Sequence, residues 1–398
     1  MFVEFLSLTD FRTYPQLDIA LKPGVTVFVG SNGVGKTNIV EAIGYLASLS
    51  SHRVSNDAPL IRFDSQRSLV RARVDRGGRS TSLELEITAG KANRARINRG
   101  APVRARDILG HLRTVLFAPE DLALVKGDPS NRRRFLDELL ASLVPHHAAT
   151  RSDFDRVLKQ RNALLKSARA SGRFTAAHES TLEVWDQHMA EAGAALLKAR
   201  LELVDLLQPH LNAAYAALTD GSKQAAAVYR STIHSQLSDD GEVENDGGAG
   251  LPPLASLNTG ELAELYLAAF KQQRKREVER GISLVGPHRD ELELMLGQAP
   301  AKGYASHGET WSLALALRLA SYYVFCEDDP SPGAAPVLIL DDVFAELDSQ
   351  RRAKLAGIVA GAEQVIVTAA VAEDIPEALS GEQFKVVPGG VASGQETV

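Results

Sequence analysis

A chain of 398 residues, 44% hydrophobic and 24% charged, has the composition of a soluble globular protein with more than one domain's worth of core. Its lone cysteine, Cys326, excludes internal disulfides and fits a reducing, cytoplasmic interior, where its plainest role is a small buried helix residue. No stretch of ~18 apolar residues or cationic leader marks a membrane span or targeting segment. The net charge of −6 argues against a uniformly basic nucleic-acid binder, yet residues 1–135 hold 21 Lys and Arg against 13 Asp and Glu.

Phe2–Leu6 and Leu17–Leu21 alternate apolar and polar residues as strands do, and Val25–Val29 is a β-branched run leading into glycines. The glycines open Gly30-Ser31-Asn32-Gly33-Val34-Gly35-Lys36-Thr37, a complete phosphate-binding loop, and Asn38–Leu46 continues with helical spacing. Here the glycines let backbone N–H groups turn toward phosphates, Lys36 bridges the β- and γ-phosphate oxygens of ATP, and Thr37 is a ligand for Mg2+. The start of the helix adds its positive end.

Two strands, Ser68–Val74 and Ser80–Ile87, meet around Gly77-Gly78, a hairpin signal. Arginine is dense from Arg67 to Arg113, and Arg71, Arg73, Arg94, Arg96, Arg104 and Arg106 are candidate phosphate contacts for DNA by density alone. A solvated strand-rich surface explains the same arginines equally well.

From Asp137 to Ala217 the texture turns helical, with helices around Val157–Leu165 and Glu179–Leu218 separated by a break at Ser167–Ala177. A helical arm or lid is one reading and a bundle packed on the core the other. Ser238–Gly250, acidic and glycine-rich, reads as a disordered loop, and helix resumes from Asn258 or Thr259 to Arg280. Gly281–Val285 and Glu291–Met295 read as strands, and the residues after Val387 as a frayed tail.

The pattern predicts an N-terminal half-head over 1–136, a helical insertion over 137–280, a C-terminal half-head over 281–388 and a flexible tail over 389–398. Within the third segment, Ser306 and Gly308 sit at the start of a helix, where a serine and a glycine can form a second anion site or Ser306 a simple cap, with Ser312 the alternative cap. About 300 residues beyond the phosphate loop, Val337–Leu340 runs into Asp341-Asp342: one carboxylate for magnesium, assigned to Asp341, and one to polarise water, assigned to Asp342. A second phosphate-binding helix end that cannot sit beside the first points to a site shared between two subunits.

These elements in this order resemble the ABC-type ATPase heads of the structural-maintenance-of-chromosomes and Rad50 group. Asp10-Phe11-Arg12, Phe117–Leu122, Val125–Pro129, Arg132–Asp137, Gly286–Asp290 and Asp341–Asp348 further resemble its bacterial recombination mediators. The resemblance implies an α/β fold, an ABC-type P-loop ATPase head with a short coiled-coil-like helical insertion. It implies that Ser306 and Gly308 form the signature motif touching ATP on a partner protomer, that Asp348 lies on a loop crossing the dimer interface, and that Thr368 is the switch residue near the γ-phosphate. Arg12 would reach the nucleotide, and Glu120 or Asp121 would stand in the magnesium-sensing loop. His307 and Glu309 depart from the glutamine-like residues usual beside the signature serine.

In function the resemblance implies a slow ATPase and ATP-dependent homodimer, associated with the nucleoid on single-stranded, double-stranded or gapped DNA. Recombinational repair, replication-fork maintenance, RecA loading through RecO and RecR, and SOS induction would follow. Two other classes are a transporter motor subunit, which would keep its P-loop and acidic strand much closer, and an ATP-controlled nuclease, which would need a metal-binding domain after Thr368.

Overall fold

The computed structural model describes residues 1–219, 221, 223–233 and 252–393. The whole of the expected loop 238–250 and the last five residues of the tail, 394–398, lie outside the described residues.

Three sheets organise the described residues. Strands β1 (Phe2–Phe11), β2 (Tyr14–Ala20), β4 (Arg67–Arg76), β5 (Arg79–Thr88), β6 (Arg94–Ile97) and β7 (Val103–Arg104) form an antiparallel sheet in the order β2-β1-β4-β5-β6-β7. The β4–β5 turn is Gly77-Gly78, both at positive φ, which suits a two-residue hairpin.

The second sheet contains β3 (Gly24–Val29), β8 (Thr114–Phe117), β12 (Val337–Asp341), β13 (Gln364–Ala369), β14 (Glu382–Val387) and β15 (Gly390–Ser393), in the order β15-β14-β3-β13-β12-β8. Every pairing in it is parallel except β14 with β15. Strands β12 and β13 are buried at every residue, as expected of apolar runs covered on both faces. Alternate residues divide between two cores. Phe28, Ile339 and Ile366 pack with the helix Lys36–Ser48 and the antiparallel sheet, whereas Val27, Leu338 and Val365 pack with the helix His307–Asp328. A small third sheet joins β9 (Ala225–Arg230), β10 (Glu291–Leu296) and β11 (Ala299–Pro300).

The helix Ala176–Leu218 has 43 residues and spans about 65 Å. Its N-terminal half packs Met189 and Leu197 against Phe154 of the helix His146–Ser171 and Phe270 of the helix Thr259–Arg280. Its C-terminal half packs Leu203, Leu207 and Leu211 on the core beneath the parallel sheet. The two ends of this helix thus belong to different cores, one made with two other helices and one shared with the head. Arg161, fully buried, ties the three-helix cluster together through Asp186, Glu277 and Ser283, at 2.7, 2.6 and 2.7 Å.

Three expected elements differ. The break at 167–177 shrinks to 172–175, because the helix runs on to Ser171 and stops at Gly172 in the left-handed conformation. Gly281–Val285 is not a strand: Ser283 N and Leu284 N donate to the side chains of Asn162 and Glu277, so helix side chains take the bonds a ladder would use. Gly390–Ser393, within the expected frayed tail, pairs as β15 with β14. Strand β9 carries three alanines and no sequence signal for strand. Among the described residues, no helix is long and apolar enough to cross a membrane.

Candidate nucleotide site

Strand β13 lies between β3 and β12, with Asp341 opposite Thr368 and Thr368 opposite Phe28. The phosphate loop and the acidic pair therefore emerge side by side from the same end of the sheet, although 304 residues separate Thr37 from Asp341. Such an end, where parallel strands finish, is where open α/β sheets bind ligands.

Gly33 (φ 85) and Gly35 (φ 113) hold conformations that side chains rarely adopt. A Cβ at Gly35 would also meet the Tyr14 hydroxyl at 2.7 Å, and one at Gly30 would meet Val386 O at 2.5 Å. Lys36 is buried and donates to Gly30 O at 2.8 Å, with Ser31 O and Asn32 Oδ1 each at 3.4 Å, folding its ammonium back over the loop. Its Nζ stands 3.9 Å from Asp342 Oδ1.

Asp341 accepts from Thr37 Oγ1 at 3.1 Å and from Thr368 Oγ1 at 2.6 Å, and Thr368 Oγ1 in turn accepts from Asp342 N at 3.0 Å. Asp342 holds φ 51, a left-handed conformation that Asp tolerates better than most residues, and burial raises its carboxyl against the opposing pull of Lys36. Thr37 and Asp341 supply hard oxygen donors on one locus, which fits magnesium. The glycine cradle and the start of the helix Lys36–Ser48 fit phosphates.

A cavity of about 700 Å³ opens over the loop, lined on the P-loop side by Asn32, Lys36, Thr37 and Asp342. Arg12 lines it too, but its guanidinium is held by both carboxylate oxygens of the buried Glu41 and by Pro59 O. Arg53 shares Glu41 at 3.5 Å and reaches Asn38 Oδ1 at 3.0 Å. His52 Nε2 lies 3.7 Å from Asp341 Oδ2, buried without a hydrogen-bond partner. Sequence reasoning missed Glu41, His52 and Arg53, which follow the loop with no spacing of their own to betray them. Asp121 is buried, gripped by Arg318 at 2.6 Å and accepting from Ala118 N at 3.0 Å, whereas Glu120 stays exposed and contributes to the field at Asp342. Asp121 is thus committed to structure.

Ser306 N-caps the helix His307–Asp328 in a reciprocal box: its Oγ accepts from Glu309 N at 3.3 Å, and Glu309 Oε2 accepts from Ser306 N at 2.8 Å. The other Glu309 oxygen accepts from Lys223 at 2.6 Å, and these bonds hold its carboxyl down at about 2. Asp348 caps the helix Ser349–Val359 and pairs with Arg351, whose Nε donates to Ser312 Oγ at 2.9 Å. A Cβ on Gly308 would meet the same guanidinium at 2.8 Å. Ser306, Gly308 and Asp348 thus form one cluster bridged by Arg351, and none of them lines the P-loop cavity.

All six candidate DNA arginines belong to the antiparallel sheet or its edge. Arg71 pairs with Glu84 and Arg73 with Glu4, both at 2.5 Å, and Arg96 lies 3.5 Å from Glu84. Arg94 and Arg104 face each other across β6 and β7, and with Arg106 make no ion pair among the described residues.

Residues 2–388 match the family model described as the RecF/RecN/SMC N terminal domain. The chain is 70% identical over 400 residues to "DNA replication and repair protein RecF" of Pseudarthrobacter chlorophenolicus, covering 98% of this chain and 99% of the relative. It is 71% identical over 396 residues to the protein of that name in Paenarthrobacter aurescens, with the same coverage. A solved structure of the "recombination mediator protein RecF-ATP in RecFOR pathway" superposes with a TM-score of 0.84 at 24% identity, covering 98% of this chain and 97% of that one. A Pyrococcus furiosus Smc head domain superposes with a TM-score of 0.51 at 17% identity, covering 98% and 96%.

Proposed function

The chain belongs to the RecF branch of the RecF/RecN/SMC family, and on that premise we propose an ATP-gated DNA-binding protein of recombinational repair and replication-fork maintenance that hydrolyses ATP slowly. The observation that carries this reading is the bonded set Thr37, Asp341 and Thr368, which joins the phosphate loop to the acidic strand. Lys36 exchanges its bonds to Gly30 and Asn32 for phosphate oxygens. Thr37 and Asp341 would hold magnesium, which would neutralise charge on the phosphates when bound. Asp342 orients water, but a short side chain leaves it farther from an in-line position than a glutamate would be. A misplacement of that order costs about a hundredfold in rate. ATP then acts chiefly as the glue of a dimer and hydrolysis as its release.

Ser306, Gly308 and Asp348 serve the nucleotide of a second copy, a reading supported by their clustering away from their own cavity. Arg94, Arg104 and Arg106 are the stronger DNA candidates; Arg71, Arg73 and Arg96 spend charge on glutamates. The proposal extends to work with RecO and RecR in loading RecA on gapped DNA, SOS induction and a cytoplasmic, nucleoid-associated location, with which the relatives' printed role in DNA replication and repair is consistent.

Sedimentation with and without ATP tests the proposal. The wild type dimerises only with ATP, Lys36→Met and Ser306→Arg stay monomeric, and DNA affinity rises with ATP and falls steeply with salt. A wild-type chain that remains monomeric at saturating ATP overturns the dimer.

A further inference from the structure

Facing the P-loop, the cavity has a second wall of different character, made by residues 58–65. Ala58, Pro59, Ile61 and Phe63 line it, with Ala89 adjoining. Phe63 is 88% exposed, more than any other large hydrophobic side chain among the described residues, and it is the one aromatic ring lining this cavity. An apolar ring left in water at the mouth of a polar cavity forgoes the burial that normally stabilises such a side chain, and marks a contact surface.

The wall is held firmly. Arg12 N donates to Leu60 O and Arg62 N to Asp10 O, both at 2.8 Å, Arg12 Nη1 donates to Pro59 O at 3.0 Å, and Phe11 bridges Ile61. Asp10, Arg12 and Asp64 flank these bonds in the left-handed region, at φ 49, 53 and 64. Conformations of that kind persist where the surroundings over-determine them, as at ligand clamps. The ring is therefore presented by a braced segment rather than by a loose loop.

A nucleoside triphosphate has one end fixed by charge. Its phosphates lie along the glycines and Lys36, so the sugar and base extend away from them, and the apolar surface this cavity offers is the 58–65 wall. We propose that Phe63 is the base-contacting residue of the site, stacking on the purine of a nucleoside triphosphate above Pro59 and Ile61. The inference rests on the nucleotide reading above and adds a specificity element to it. Stacking responds to ring area more than to edge hydrogen bonds, so the wall favours purines over pyrimidines.

The test is calorimetric binding of a non-hydrolysable ATP analogue and of inorganic tripolyphosphate, each with magnesium, to the full chain and to Phe63→Ala and Phe63→Trp. Phe63→Ala should bind the analogue about tenfold more weakly and tripolyphosphate as before. Phe63→Trp should keep the affinity, with its added fluorescence quenched by the analogue and unaffected by tripolyphosphate. Unchanged analogue affinity in Phe63→Ala overturns the proposal. So does an equal loss for both ligands, which would mark a structural effect, or loss of self-association alone, which would assign the ring to a protein contact. Failure of the wild type to bind either ligand would instead sink the nucleotide reading itself.

Discussion

Lys223 donates to Glu309 Oε1 at 2.6 Å, placing a cation from the segment after the long helix on the carboxylate that completes the Ser306 cap. The cap thus keeps a charge at Glu309, and Lys223 compensates it. Lys223→Ala leaves that carboxylate unpaired at the helix start proposed to meet a partner's phosphates. The ATP concentration for half-maximal dimerisation should rise about threefold, modest because the pair is solvent-screened. Adding Glu309→Gln should restore it. A double variant as impaired as Lys223→Ala, measured by sedimentation, would show that charge is not the cause.

Thr368 Oγ1 donates to the Asp341 carboxylate and accepts from Asp342 N, so one hydroxyl fixes the first carboxylate and the backbone that carries the second. Thr368→Val keeps the shape and removes both bonds, leaving Asp342 N without its partner. Steady-state kcat should fall about ten- to a hundredfold with KM changed by less than about threefold. An unchanged kcat would remove Thr368 from the hydrolytic machinery.

Arg161 stabilises the three-helix cluster by satisfying two buried carboxylates, Asp186 and Glu277. Removing one partner of such a set leaves uncompensated buried charge, at a cost of about 3–5 kcal/mol. Arg161→Ala should lower the melting temperature by several degrees while nucleotide binding to the folded protein persists. A thermal melt matching the wild type would contradict the burial argument.

His288 is pushed down to about 4, chiefly by burial, so the folded chain holds it neutral at pH 7. The unfolded chain protonates it near pH 6.5. Its stabilising contribution is therefore complete above about pH 6.5 and is lost as pH falls toward 4, with a slope of at most about 1.4 kcal/mol per unit. Measured from pH 7 to 5, the stability gap between wild type and His288→Gln should close. A gap that stays constant with pH would refute the assignment.

Much of the site was legible because its signals are local. Glycines that must turn the backbone, an apolar strand running into Asp341-Asp342 and the Ser306 cap each depend on neighbours a few residues away, and the structure holds all three as read. Gly281–Val285 misled for the complementary reason. Its Ile282, Leu284 and Val285 suggest a strand, while its backbone bonds go to Asn162 and Glu277, residues whose approach no local pattern announces. Asp121 was similarly ambiguous until Arg318, 197 residues away, claimed it.

The sequence by itself determined that this chain carries a phosphate loop, an acidic strand end and a capped helix between them, because backbone conformation and periodicity act over short range. Only the tertiary structure decided which side chains meet there. Strand β13 threads between β3 and β12 and so sets Thr368 against Asp341, the β1–β2 turn braces the segment carrying Phe63, and Lys223 arrives at Glu309. Those partners lie tens of residues apart, and their encounter depends on strand order and helix packing rather than on anything the intervening residues encode locally.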